Sequence, residues 1–123
     1  MTLLVDTSIL TGGAAPPRTS EQYAVSVVSV GELEAGVLLA RRGTVRAERL
    51  ARLTAVLAQA TVLPIDRQVG TFYGRLRERA KERRPHNDLW IAATALAHGL
   101  TLLTADERQA ALPLVRTELI GGG

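Results

Sequence analysis

Short apolar runs and longer stretches of helical periodicity take turns along this chain. Leu3-Leu4-Val5 has the pattern of a buried strand and ends at Asp6. Thr7 or Ser8 is placed to cap a short helix behind it. Gly12 to Pro17 then breaks regular structure, and Arg18 to Gln22 continues as a polar loop. Ala24 to Val28 reads as a second strand. Ser29, with Glu32 three residues on, fits a capping box and predicts a helix to about Arg42, stopped by Gly43. Val45, Leu50, Leu53, Val56 and Leu57 keep helical spacing within Thr44 to Gln59. Thr61 to Ile65 is a third strand, and Asp66 caps a helix reaching about Arg84, where Pro85 interrupts. Asn87 or Asp88 opens a helix through Leu96, with Gly99 as its stop. Leu100 to Thr104 is a fourth strand, Asp106 begins a short helical turn, and Leu114 to Glu118 is a candidate edge strand.

Short apolar strands alternating with helices predict a three-layer α/β/α fold, with helices flanking a mainly parallel sheet of four to five strands. With 123 residues and no internal linker, the chain reads as one domain over residues 1–120, followed by a flexible glycine tail at 121–123. Its 46% hydrophobic content includes one Phe, one Trp and two Tyr, so the core must be aliphatic. That suits helices packed on a parallel sheet.

The chain has no cysteine, which removes disulfides and thiolate metal sites. The start, Met-Thr-Leu-Leu-Val-Asp, lacks the basic region of a signal peptide, and the longest apolar stretch, Leu89 to Ala97, is short for a membrane span. A soluble, cytoplasmic protein is expected. The net charge of +3 permits an anionic partner without requiring one, and Arg-rich usage also arises from base composition of the genome.

In open α/β sheets, ligands bind beyond the carboxyl ends of the strands. The chain has four aspartates, at 6, 66, 88 and 106, and all stand at element junctions. Asp6, Asp88 and Asp106 fall on what should be one rim, joined by Glu32. Carboxylates about 5 Å apart at an effective dielectric of about 20 repel by roughly 3 kcal/mol per pair, so such a group holds either protons or a cation. An oxygen-only donor set favours Mg²⁺ or Mn²⁺, which activate water for phosphodiester hydrolysis. Each acid also has an ordinary reading. Asp88 and Asp106 can be helix caps, and Glu32 can be the capping-box partner of Ser29. Asp6, between an apolar strand and Thr-Ser-Ile-Leu, has little structural reason to be there.

Four segments, in order, resemble the motifs of the PIN-domain family, and most closely its VapC-like toxins. They are Val5-Asp6-Thr7-Ser8, Ser26 to Gly36 around Glu32, Asn87 to Gly99 around Asp88, and Leu102-Leu-Thr-Ala-Asp106. The resemblance spans nearly the whole chain. It implies an endoribonuclease that is the toxin of a toxin–antitoxin pair, with an RNA substrate, a Mg²⁺ or Mn²⁺ cofactor and a homodimer. It also implies a cognate antitoxin whose C-terminal segment occupies the active-site groove. Asp6, Asp88 and Asp106 would hold the metal, and Glu32 would bind it directly or through water. Ser8 would position Asp6 or a metal-bound water, and Thr104 would support the site with its hydroxyl.

Two departures from the family pattern stand out. The stretch between Asp6 and Glu32 is short, with Gly12 to Pro17 where a first helix usually continues. Ala105 stands where a basic residue is usual, which leaves Asp106 the least secure ligand. In the basic run Arg75 to Arg84, Glu78 and Glu82 can pair with arginines on a solvated face, while Arg83 and Arg84, nearest Asp88, are candidate RNA contacts. His86, His98 and Trp90 read structurally.

Other phosphate-handling classes fail on their own motifs. A haloacid-dehalogenase-type phosphotransferase needs a second Asp where Ser8 stands, a receiver needs a late Lys, and no P-loop is present. A PIN nuclease of RNA processing, or a PIN-like module that only binds antitoxin or RNA, stays open.

Overall fold

The computed structural model describes residues 1–11 and 22–120. The Gly12 to Pro17 breaker, most of the loop after it and the glycine tail lie outside the described residues. Five strands form one sheet: β1 (Leu3–Val5), β2 (Ala24–Ser26), β3 (Thr61–Leu63), β4 (Thr101–Thr104) and β5 (Thr117–Leu119). Their order is β3-β2-β1-β4-β5, and every neighbouring pair is parallel. Among the described residues there are six helices: α1 (Thr7–Thr11), α2 (Val27–Leu39), α3 (Gly43–Gln59), α4 (Arg67–Arg79), α5 (His86–Ala97) and α6 (Glu107–Ala110).

The period-2 geometry of strands sorts the core into two halves. Leu4, Ala24 and Leu102 face the α4–α5 side and pack with Val69, Leu76, Leu89 and Ile91. Val5, Val25 and Leu103 face the other side, against Ile9 and Leu10 of α1, Leu33 and Val37 of α2, and Leu53 and Val56 of α3. A parallel sheet covered on both faces explains why its central strands are apolar at successive positions. The predicted three-layer α/β/α architecture is the one observed.

Several boundaries differ from the sequence expectation. The second strand ends at Ser26, not Val28, because Ser26 takes extended backbone (φ −73°, ψ 145°) and its hydroxyl accepts from Val28 N–H. Ser26 is therefore the N-cap of α2, and the Ser29–Glu32 capping box does not form. Ser29 is fully buried within the helix instead. α2 ends at Leu39 rather than Arg42, and Gly43 opens α3 instead of stopping α2. The open carbonyls at the end of α2 take donors from α3: Arg46 binds those of Val37 (3.2 Å) and Leu38 (3.1 Å), and Arg49 that of Gly36 (2.7 Å).

α4 is capped by Asp66 as expected, its carboxylate accepting from Val69 N–H at 2.9 Å, but it stops at Arg79. The residue preceding proline resists helical backbone, and α5 opens at His86 with Pro85 as its cap. Gly99 ends that helix with φ +64°, a left-handed conformation that costs glycine little. The edge strand begins at Thr117, because Leu114 also adopts positive φ (70°) and turns the chain ahead of it. Trp90 stacks on Tyr73 of α4 with ring centroids 3.9 Å apart, a packing role.

Candidate active site

Chain order sets the position of the site. β1 leads to β2 on one side of the sheet, while β4 is added on its other side, so the strand order reverses between β1 and β4. A crevice opens at such a switch point beyond the strands' carboxyl ends. Asp6 is the first residue after β1, and Thr104 is the last of β4. The register pairs Val5 with Leu103, which brings Asp6 and Thr104 side by side.

Asp6 is only 4% exposed. Its Oδ2 accepts from Ser8 Oγ (2.6 Å) and from Thr104 Oγ1 (2.8 Å). Each hydroxyl in turn accepts a backbone amide: Ser8 from Ala105 N–H (3.0 Å), Thr104 from Asp106 N–H (3.0 Å). Every partner in this chain has its donor matched to an acceptor, which fixes the carboxylate's orientation. All described hydrogen bonds to the Asp6 carboxylate fall on Oδ2. Its Oδ1 is the oxygen left for a ligand.

Glu32 reaches the rim from the second turn of α2. Thr7 Oγ1 donates to its Oε1 at 2.9 Å and lies 2.8 Å from Ser29 Oγ. Since the one Thr7 proton goes to Glu32, Ser29 must be the donor in that contact. Thus the buried Ser29, through Thr7, orients Glu32.

Asp88 is the third residue of α5, and Pro85 is the cap, so its carboxylate is not used as an N-cap. It meets the Arg84 guanidinium at 2.6 Å. Burial pushes its pKa above the usual carboxylate value, and Asp6, Asp106 and Glu32 push the same way; Arg84 pulls against them without prevailing. The push of those three acids on Asp88 puts the four in one electrostatic neighbourhood. Asp106 does cap a helix: its Oδ1 accepts from Arg108 N–H (2.8 Å) and Gln109 N–H (3.4 Å), and its Oδ2 faces Arg84 at 3.4 Å. Burial raises its pKa, but those amides and Arg84 together outweigh that and hold it below the usual value.

The structure therefore gathers Asp6, Glu32, Asp88 and Asp106 on one rim, with Ser8 and Thr104 behind Asp6. Asp66 spends its carboxylate on α4 instead. Of the two candidate RNA contacts, Arg83 is exposed, whereas the Arg84 side chain is 6% exposed and turned into the acids. Among the described residues no three His, Asp or Glu side chains are grouped so as to hold a metal ion as they stand. A guanidinium fills that place between Asp88 and Asp106. Oxygen-only carboxylates that crowd one another and recruit a cation are the donor chemistry a hard divalent ion requires.

Sequence reasoning misses the roles of two residues here, Thr7 and Gln109, and gives Arg84 a different one, contact with RNA. Thr7, placed by the sequence as a helix cap, is the link between Ser29 and Glu32. Gln109 is fully buried, donating from Nε2 to the Asp88 carbonyl (2.7 Å) and accepting from Arg84 (3.3 Å). Arg84 has the i, i+4 spacing of an ion pair with Asp88, a signal obscured by Pro85 between them.

A family model, PIN domain, matches residues 3–114. Ribonuclease VapC4 of Mycobacterium tuberculosis is 43% identical over 119 residues, covering 89% of this chain and 90% of that relative. One chain of the crystal structure of VapBC-5 from the same organism, a member of the VapBC family of toxin–antitoxin systems, superposes with a TM-score of 0.78. It is 34% identical and the match covers 98% of each chain. FitAcB from Neisseria gonorrhoeae superposes with a TM-score of 0.78 at 27% identity, covering 94% of this chain and 96% of its own.

Proposed function

This chain belongs to the PIN-domain family, and we propose on that footing that it is a divalent-metal-dependent endoribonuclease, the toxin of a toxin–antitoxin pair. The observation that carries this reading is Asp6. It sits at the switch point, buried, with Oδ2 locked by two hydroxyls and the other three acids around it. Relatives named as ribonucleases and toxins at this level of identity supply the activity class.

Asp6, Asp88 and Asp106 would hold Mg²⁺ or Mn²⁺, with Glu32 binding directly or through water. When bound, the ion supplies an activated water and neutralises charge that develops on the phosphodiester. Ser8 and Thr104 keep Asp6 aimed. Thr7 aims Glu32, and Gln109 fixes the α5 turn that carries Asp88. Arg83, exposed beside the rim, is a contact for RNA phosphate. Residues 1–120 act as a single nuclease domain.

The protein partners are a cognate antitoxin and a second copy of the chain. Solved complexes of toxins with antitoxins among the structural relatives support the first. Leu38, Leu39, Leu50 and Leu57, between 45% and 76% exposed on α2 and α3, offer apolar surface for protein contacts. Among the described residues no helix is long and apolar enough to cross a membrane. The protein would act in the cytoplasm, where its RNA substrate is found.

Expression in a bacterial host tests the toxin reading. The wild-type chain should arrest growth and fragment cellular RNA, and Asp6→Asn, made at the same level, should do neither. Normal growth with intact RNA at high wild-type expression would overturn it.

A further inference from the structure

Arg84 is bonded unlike the rest of the site. After α4 ends at Arg79, the chain turns back and buries this side chain at the acidic rim, 6% exposed. One nitrogen, Nη2, faces Asp88 Oδ2 at 2.6 Å, Asp106 Oδ2 at 3.4 Å and Gln109 Oε1 at 3.3 Å. Meanwhile Nε is buried without a hydrogen-bond partner among the described residues. A guanidinium built into a permanent site spreads its five N–H donors as a fork onto matched acceptors. Here three acceptors crowd one nitrogen and a buried donor goes unmet. The head group is held by charge more than by geometry.

We propose that Arg84 is the resident counter-cation of the acidic rim, competing with the divalent ion for Asp88 and Asp106, so that ion binding expels the guanidinium. The inference rests on reading the rim as a metal centre and adds how that centre is loaded. With the ion absent, Arg84 offsets the repulsion among four carboxylates. With the ion present, a guanidinium at the same oxygens would face like charge in a poorly solvated space. The expelled side chain has a place to go. Arg84 lines a cleft of about 480 Å³ together with Arg79, Lys81 and Arg108, against the acids Glu82 and Glu107. Three other cations border that cleft, so ion loading would deliver a fourth cation toward an RNA phosphate beside the rim. Metal and RNA would then bind with positive coupling, each favouring the same position of Arg84.

The test is Mg²⁺ binding to the full chain, by calorimetry, for wild type and Arg84→Ala, with Arg Nε–H nuclear magnetic resonance on wild type. Arg84→Lys, which lacks that group, assigns the Arg84 signal. Removing the competitor should tighten Mg²⁺ binding by about tenfold or more, equivalent to at least about 1.4 kcal/mol. Saturating Mg²⁺ should shift the wild-type Arg84 Nε–H signal and speed its exchange with water. If Arg84→Ala fails to fold, the wild-type signal decides alone. Either an Nε–H signal unmoved at saturating Mg²⁺, or a folded Arg84→Ala protein that binds the ion no tighter than wild type, overturns the proposal. Absence of Mg²⁺ binding by either protein would instead overturn the metal-centre reading, and this inference with it.

Discussion

The two flanks of the acidic rim are held by opposite means. On the β1–β4 side, Asp6 is fixed by neutral hydroxyls whose own oxygens accept backbone amides, a relay with no formal cation in it. On the α5–α6 side, Asp88 and Asp106 share one guanidinium that leaves its own Nε unbonded. Hydroxyl donors orient a carboxylate yet leave its charge to act on a ligand. A guanidinium neutralises it. On the reading proposed above, one flank is a fixed anchor and the other an exchangeable one; outer partners such as the Ser8 and Thr104 hydroxyls fix the orientation of a ligating carboxylate.

Substitutions can break this contrast at graded strengths. Thr104→Val should hit hardest, because Thr104 is fully buried and serves both Asp6 Oδ2 and Asp106 N–H. Leaving those groups unmet should cost about 1–3 kcal/mol in urea unfolding, and RNA cleavage should fall about 10–100-fold. Undiminished cleavage would show that the hydroxyl relay does not position Asp6. Ser8→Ala touches the same oxygen but at a half-buried position where water can substitute, so a loss of about 1 kcal/mol or less is expected, with a smaller drop in rate.

Asp66→Ala sharpens the contrast from outside. It removes an acid between β3 and α4 whose carboxylate caps α4, and should cost about 1 kcal/mol of stability with cleavage per folded molecule unchanged. A matching fall in catalysis would place Asp66 in the site.

The smallest expected effect is on pH dependence. The Asp88 pKa is raised in the folded state, so its contribution to stability is full below the ordinary carboxylate value and is lost as pH rises through the raised one. Asp106 is lowered, so its contribution is present above the ordinary value and is lost as pH falls through the lowered one. Melting in EDTA should therefore show a decline on the rising side of the carboxylate range that Asp88→Asn lacks. Superimposable pH profiles would contradict the raising of the Asp88 pKa by burial and by the neighbouring acids.

The layered fold was legible because the apolar strands and helical stripes follow the two periods of secondary structure, and the four acids because they fall at element junctions. What escaped were choices between near-equal local signals. Ser26 and Ser29 are both good caps three residues apart, and the one that wins does so because the other is buried against Thr7. The helix from Asp66 keeps a favourable composition to Arg84 yet stops at Arg79, and only that early stop lets Arg84 fold back onto Asp88. The Thr7–Ser29 and Gln109–Asp88 contacts join residues 22 and 21 positions apart, beyond any local pattern.

The most direct measurement is cleavage of a mixed RNA pool by purified protein in Mg²⁺, Mn²⁺ or EDTA, comparing wild type with Asp6→Asn and checking both folds by circular dichroism. Metal-dependent cutting by wild type, abolished by EDTA and by the substitution in a folded protein, is the predicted result. Cutting that survives both EDTA and the loss of the Asp6 charge would contradict a carboxylate-held metal as the source of the activity.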